Sequence, residues 1–506
     1  MGTKSLQAWR LLTRSFMKQQ PDNLIAYSPM IHSRLFVEGQ PFRERHFQPT
    51  RNGLRSPHHN RNHHKAAPYL DGHPEVDRPL FVQFCANDPD VLLEAARYVE
   101  PHCDAVDLNL GCPQGIARKG NYGAFLQEDQ DLIYRLINKL HTNLSIPVTA
   151  KIRILNTKEK TLQYAKRALS AGASIITVHG RQRDQKGHKT GLADWSVLRY
   201  LREQLPSETV IFANGNILRH GDIQECLEST GADAVMSAEG NLYDPTIFAT
   251  PPAAGEEGRE YWRGRNGKGG FRMDAVFRRY MDILYVHVLE QSPPPRKPLF
   301  IPLDPAPRSE SGQSKERVSE DGPPTKKQKR TNSYERPNSP SLLYMQPHLF
   351  HLLRPLVSKH HHIRDALAKC RGGDVPAFEN ILQMVEAVTR EGLVDYEANP
   401  SKYDELEPLD EKAQKLADNS DESSLATVAE CKRPWWVCQP YVRPLPKEAM
   451  EKGSITLSKK EKKRIEEQRG LQQARTQGDV KSRREVLDEE DGVPVKEIPA
   501  QAMVAG

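Results

Sequence analysis

"AVDLNLGCPQGIARKGNYGAF" (residues 105–125) alternates apolar residues with Asp107 and Asn109, breaks at Gly111-Cys112-Pro113, and runs on through Gly115, Arg118, Lys119, Gly120 and Gly123. The first part reads as a strand and the second as a flexible, basic loop. A lone thiol therefore stands where a strand ends. Outward from it, one unit recurs between Leu24 and Gly240: a short apolar, β-branched run, a glycine or polar break, then an amphipathic stretch. The other strand-like runs are LIAYSPMI (24–31), PLFVQFCA (79–86), VTAKIRI (148–154), IITVHGR (175–181), VIFANGN (210–216) and AVMSAEG (234–240). Helical stretches at 88–100, 129–142, 158–171 and 218–230 separate them. Strands alternating with helices predict βα units and a parallel sheet.

Two parallel architectures compete. A doubly wound sheet wants a GxGxxG fingerprint after its first strand, and none stands there. A (β/α)8 TIM barrel places polar or reactive residues at the C-terminal end of nearly every strand. Here those ends carry Pro29, Gln83, Cys112, Lys151 with Arg153, His179 with Arg181, Asn214 and Glu239. Each alone is an ordinary cap or turn residue; in succession they describe one shared site. The fold predicted is an α/β TIM barrel over residues 5–250.

The rest of the chain has other compositions. Hydrophobic residues make up 37% of the 506 and mean hydropathy is −0.68, so part of the chain is expected not to fold. Residues 50–67 read as a solvated insertion, because His58, His59, His63 and His64 have neither carboxylate nor cysteine beside them to make a metal site. Residues 292–340, rich in Pro, Ser, Lys and Glu, read as a disordered linker. Within it KKQKR (326–330) is equally a nuclear import signal or a solvated charge run. Apolar residues return at helical spacing after Ser341 (Leu349, Leu352, Leu353, Leu356, then Ile381, Met384, Val385, Val388) and predict a small helical domain over 341–395. Residues 396–506 read as a charged, mostly disordered tail with an aromatic patch at 435–446 and a capped, charged helix from Ser458.

Net charge is +6, which admits a polyanionic partner without demanding one. Seven cysteines without framework spacing fit a reducing compartment. The first twenty residues are charged throughout, unlike a secretory signal, and no run approaches the ~18 apolar residues of a membrane span. A soluble protein of the cytoplasm, the nucleus or both is expected.

In barrels the loops after the last two strands often hold a phosphate on backbone N–H groups, with small residues permitting close approach. ANGN (213–216) and SAEGN (237–241) have that character. A nucleotide-sized cofactor anchored there extends inward across Gln83, Lys151 and His179, whose amide, ammonium and imidazole suit the polar edge of a flavin. Cys112 has three readings: a structural thiol, a covalent nucleophile or an acid. A nucleophile needs a paired base and an oxyanion arrangement, and no such signature is present. An acid needs no activator, since a thiol with pKa near ~8.5 is protonated at neutral pH yet releases its proton readily.

DLNLGCPQ, KIRI, TVHGR, FANGNI and MSAEGNL, in this order, resemble the tRNA-dihydrouridine synthases, and most closely the eukaryotic branch acting on D-loop positions 16 and 17. The resemblance is dense from Leu6 to Leu242 and looser after 340. It implies an FMN-containing barrel reduced by NADPH (or NADH) and joined to a helical domain that grips tRNA. It makes Cys112 the proton donor and has Asn109 hold the uracil. It assigns FMN to Gln83, Lys151, His179, Asn214, Gly215, Asn216, Ala238, Glu239 and Gly240, and turns Arg153 and Arg181 to the substrate. A stacked base cannot reach a barrel floor, so the uridine must be flipped out, with Arg118 and Lys119 beside the thiol to meet backbone phosphates. Two other readings stay open: an FMN barrel reducing a small pyrimidine or enone, and a tRNA-binding protein that has lost catalysis.

The resemblance begins inside the first barrel helix, at SLQAWRLLTRSF (5–16). Only Met1–Lys4 precede it, whereas a strand takes about 5–6 residues. The barrel is therefore expected to lack its first strand, as an incomplete gene model would.

Overall fold

The computed structural model describes residues 6–17, 24–50, 70–186, 190–265, 267, 269–304, 339–403 and 434–438. Most of the 50–67 insertion, the 292–340 linker and the 396–506 tail lies outside the described residues, including 326–330 and the helix expected from Ser458.

The strands are β1 (Ala26–Tyr27), β2 (Ile31–His32), β3 (Leu80–Cys85), β4 (Ala105–Asn109), β5 (Val148–Arg153), β6 (Ile175–His179), β7 (Val210–Asn214) and β8 (Ala234–Met236). They form one sheet in the order β1-β3-β4-β5-β6-β7-β8, with β2 also on β3. Every pairing in it is parallel. The run 24–31 is thus one strand interrupted at Ser28-Pro29-Met30, both halves registering on β3 through Ala26↔Leu80 and Ile31↔Phe84. Proline cannot donate to a ladder, which accounts for the break. This is the curled parallel sheet of a TIM-type barrel. Among the described residues β1 and β8 are not paired with each other.

Period-two alternation sorts each strand into two faces. Leu80, Val82, Phe84, Val106, Leu108, Ala150, Ile152, Ile176, Val178, Ile211 and Ala213 lie in one apolar core with the surrounding helices. The alternate positions, from Gln83 on β3 to Asn214 on β7, take the opposite face and are largely polar. Helices follow the strands with their own start signals. Asp88 caps Pro89–Val99, Asp129 caps Gln130–His141, Thr157 caps Lys158–Ser170 and Asp194 caps Trp195–Gln204, each side chain accepting a first-turn N–H. The helices then bury apolar stripes such as Ile133, Leu136, Ile137 and Leu140 against the sheet.

A second core gathers helices from distant parts of the chain. Trp9 and Leu12 from the Gln7–Ser15 helix, Phe277 and Tyr280 from Met273–Ile283, Leu349 and Leu356 from the 340–359 helices, and Ile381 and Val385 from Val375–Ala398 share it. The central Met273–Ile283 helix went unread in the sequence. The Gln7–Ser15 helix, read as part of the barrel, faces this core as well as the barrel side. None of the helices among the described residues is long and apolar enough to cross a membrane.

Candidate active site

The polar face of the sheet concentrates the strand-end residues in one place. Register sets Asn109 beside Lys151, Arg153 beside His179, and His179 beside Asn214. Lys151 reaches across β6 to donate to Asn214 Oδ1 at 2.8 Å, and Asn214 Nδ2 donates in turn to the Met236 carbonyl at 2.8 Å. Burial pushes the Lys151 ammonium down to about 8, helped by Arg153, while Asp107 and Cys112 pull the other way. Burial likewise pushes Arg153 down to about 10, with Cys112 opposing. The thiol and these two cations are therefore electrostatic neighbours.

Cys112 is half-buried, against Cys85, Ala117 and Tyr122. Its backbone is held on both sides. Asn109 Oδ1 accepts from the N–H of Gly111 at 3.1 Å and of Cys112 at 2.9 Å, and the Cys112 carbonyl accepts from Ala124 N–H at 3.1 Å. Gly123 makes that return possible: its φ is +64°, and a Cβ there would stand 2.8 Å from the Cys112 carbonyl oxygen. The expected flexible loop is in fact a short helix, Gly115–Lys119, followed by a 3-10 turn at Gly123–Leu126. Outside groups pin it: Lys186 Nζ on the Pro113 carbonyl (2.5 Å), Asn87 Nδ2 on Gly120 (2.9 Å) and Arg183 Nη1 on Ala124 (3.2 Å). Arg118 and Lys119 stand exposed on this helix.

Two arginines expected at the substrate are engaged with protein groups. Arg153 donates from Nε to the Gly111 carbonyl (2.7 Å) and from Nη1 to Gln182 (2.8 Å), bracing the turn before the thiol. Arg181, 5% exposed, donates to the Gly191 carbonyl and to Asn216 Oδ1 at 2.7 Å, and its Nη1 lies 3.0 Å from His179 Nε2. Arginine only donates, so Nε2 of His179 accepts and its proton sits on Nδ1. Arg181 thus places His179 and Asn216.

Asn216 and Gly215 form the turn after β7 with φ of +65° and +113°. A Cβ on Gly215 would come within 2.7 Å of Ala193 Cβ and 3.0 Å of His179 Cδ2. Ala238, Glu239 and Gly240 open the short Glu239–Tyr243 helix, and a Cβ on Gly240 would meet the Ile217 carbonyl at 2.4 Å. Gln83 lies deeper, its Nε2 donating to Asp107 Oδ2 at 2.7 Å. Asp107 and Thr149 escaped the sequence reading; the signal was Asp107 at the same inward parity as Asn109 in AVDLN. Among the described residues no group of three or more His, Cys, Asp or Glu could hold a metal.

The family profile described as dihydrouridine synthase matches residues 5–262. The chain belongs to the dihydrouridine synthase family. It is 40% identical over 447 residues, 88% of this chain and 82% of the relative, to a protein of Saccharomyces cerevisiae named tRNA-dihydrouridine(16/17) synthase [NAD(P)(+)]. A Schizosaccharomyces pombe protein of the same name is 40% identical over 88% of this chain and 87% of its own. A Rattus norvegicus protein named as similar to that synthase is 32% identical over 95% of this chain and 81% of its own.

Proposed function

We infer that this protein reduces the C5–C6 bond of uridine in tRNA to dihydrouridine, with positions 16 and 17 of the D-loop as its targets. The observation that carries the reading is the fixed Cys112 turn at the end of β4, beside Lys151 and Arg153 on the adjacent β5. FMN, with NADPH or NADH as reductant, is the cofactor we assign. The residues fit it: Lys151, Asn214 and His179, gathered at neighbouring strand ends, offer a cation, an amide and an imidazole to a polar ring edge. When bound, FMN supplies the hydride that C6 receives.

The chain's own residues do the remainder. Cys112 gives its proton to C5, and the thiolate left behind faces Lys151 and Arg153. Asn109 keeps one Nδ2–H for the uracil edge, its other Nδ2–H being given to Gln83 and its oxygen taken by the Gly111 and Cys112 N–H groups. A uridine stacked in its helix cannot reach a thiol at a barrel-strand end, so the base must be extruded. The helical region after 340 is the tRNA grip we propose, and cytoplasm or nucleus the compartment, in keeping with six free cysteines among the described residues. Nucleoside mass spectrometry of tRNA from a host lacking all dihydrouridine synthases tests the function: expressing this chain should restore dihydrouridine at positions 16 and 17, and its absence there would reject the reading.

Arg118 and Lys119, exposed next to the thiol, should contact phosphates rather than read bases. Replacing both with Ala is expected to weaken tRNA binding and lower the slope of log affinity against log salt by at most about two. An unchanged slope would remove them from the interface.

A further inference from the structure

We propose that Asp107 is a positioning residue for Cys112: it fixes the polarity of a hydrogen-bonded chain through Gln83 and Asn109 that holds the turn bearing the thiol. The proposal rests on the reading of Cys112 as proton donor. Asp107 is wholly buried on the inward face of β4. Its Oδ1 accepts from Thr149 Oγ1 at 2.6 Å and its Oδ2 from Gln83 Nε2 at 2.7 Å. Gln83 Oε1 accepts from Asn109 Nδ2 at 2.7 Å, and Asn109 Oδ1 accepts the N–H groups of Gly111 and Cys112.

The chemistry of the two ends dictates what lies between. A carboxylate can only accept, so Gln83 must turn its NH2 toward Asp107 and its oxygen toward Asn109. Asn109 must then spend its NH2 on Gln83 and present its oxygen to the strand-end turn. The far end agrees, because backbone N–H groups can only donate. If a donor stood at position 107 and gave its proton to Gln83, both amides would reverse. Asn109 would then point its NH2 at two N–H groups, and the turn would lose its anchor. Two amides in series thus transmit the charge state of Asp107 to the Cys112 backbone.

Protonation is the natural perturbation. Burial pushes the Asp107 carboxyl up to about 6, with the hydrogen bonds from Thr149 and Gln83 and the charge of Lys151 opposing. The groups that face it are Gln83 on β3, Thr149 and Lys151 on β5, and Tyr27 on β1. A protonated carboxyl can hand its proton to Thr149, keeping the polarity, or to Gln83, reversing it. The low-pH form is therefore a mixture, and Asn at 107 is its permanent equivalent.

The test compares the full-length, flavin-loaded wild type with Asp107→Asn and Asp107→Leu, reading single-turnover dihydrouridine formation between pH 5 and 8 at saturating tRNA. Peptide-resolved iodoacetamide labelling of Cys112, referenced to Cys370, runs alongside. Misplacement of about 1 Å costs up to ~10²-fold in rate, so Asp107→Leu is expected to lose about 10–100-fold with little change in the tRNA concentration needed. Its Cys112 should label several-fold faster than in wild type while Cys370 is unchanged. Wild type should decline as pH falls through about 6 toward the level of Asp107→Asn, which should show no such limb. If Asp107→Leu fails to fold, the Asn profile decides. A limb retained in Asp107→Asn, or unaltered Cys112 labelling in a folded and active Asp107→Leu, overturns the proposal. A wild type that makes no dihydrouridine overturns the functional reading instead.

Discussion

Dihydrouridine formation by the Cys112→Ala variant should fall about 10²–10⁴-fold, the usual cost of removing a general acid, while the protein still folds and still takes up flavin. The substitution removes only Sγ. The contacts that shape the turn are made by backbone: Asn109 Oδ1 holds the Cys112 N–H and Ala124 N–H holds its carbonyl, so Ala sits in the same place. Cys85, the neighbouring thiol, cannot substitute. It is buried in β3, and burial together with the nearby Cys112 pushes it up to about 12, too weak an acid to give a proton at neutral pH. Cys112→Ser separates acid from hydrogen-bond donor. A hydroxyl keeps the shape and the donor but releases its proton far less readily, so Ser should be nearly as poor as Ala. Single-turnover nucleoside analysis measures both; wild-type turnover by either variant would show that the proton at C5 comes from elsewhere.

The same turn shows what the sequence could and could not reveal. Strand–helix alternation and polar strand ends are local signals, and from them the parallel barrel, the starts of most strands and the helices beginning after Asp88 and Asp129 are legible. The strands within 105–112 and 234–240, however, stop three and four residues earlier than expected, at Asn109 and Met236. Side-chain identity at strand ends located Cys112, Lys151, His179 and Asn214 because barrel geometry converts sequence position into a shared opening. What stayed hidden depends on partners distant in sequence. That Arg153 and Arg181 donate to Gly111, Gln182, Gly191 and Asn216 could not be read from the chain order. The glycines after Cys112 suggested mobility; in the fold they allow a tight return, pinned by residues from 87, 183 and 186. Asp107 was invisible as a working residue because its meaning lies in the polarity of a chain crossing from β4 to β3 and back.

Arg10→Met is expected to cost the largest stability of any single change proposed here, about 3–5 kcal/mol, as for other buried ion pairs broken on one side. Arg10 lies in the Gln7–Ser15 helix with its side chain 1% exposed, between Asp71 and Asp77 at 9% and 0%. Its Nε donates to Asp77 Oδ1 at 2.8 Å and its Nη2 to Asp71 Oδ1 at 2.8 Å. The other carboxylate oxygens accept backbone N–H groups, Gln48 onto Asp71 at 2.7 Å and Gly72 onto Asp77 at 2.8 Å. Burial alone would push the guanidinium down, but the two carboxylates raise it above its ordinary value. Met fills the space and removes the charge, leaving two carboxylates buried against each other. Burial raises the Asp71 carboxyl even in the intact triad, against the pull of Arg10; without Arg10 nothing cationic opposes it. A carboxyl whose folded pKa is raised stabilises below its unfolded pKa and loses that contribution as pH rises through the folded value. The deficit of Arg10→Met should therefore be greatest near neutral pH and shrink toward pH 4. Adding Asp71→Asn and Asp77→Asn, which keep acceptors for the Gln48 and Gly72 N–H groups, should recover more than half of the loss. Urea unfolding of the three proteins at pH 4, 5.5 and 7 measures this, and a deficit of Arg10→Met that grows as pH falls would refute it. Because Arg10 stands on a helix of the second core while Asp71 and Asp77 lead into β3, the unfolding of Arg10→Met should also separate into two steps as the joint between the cores is lost.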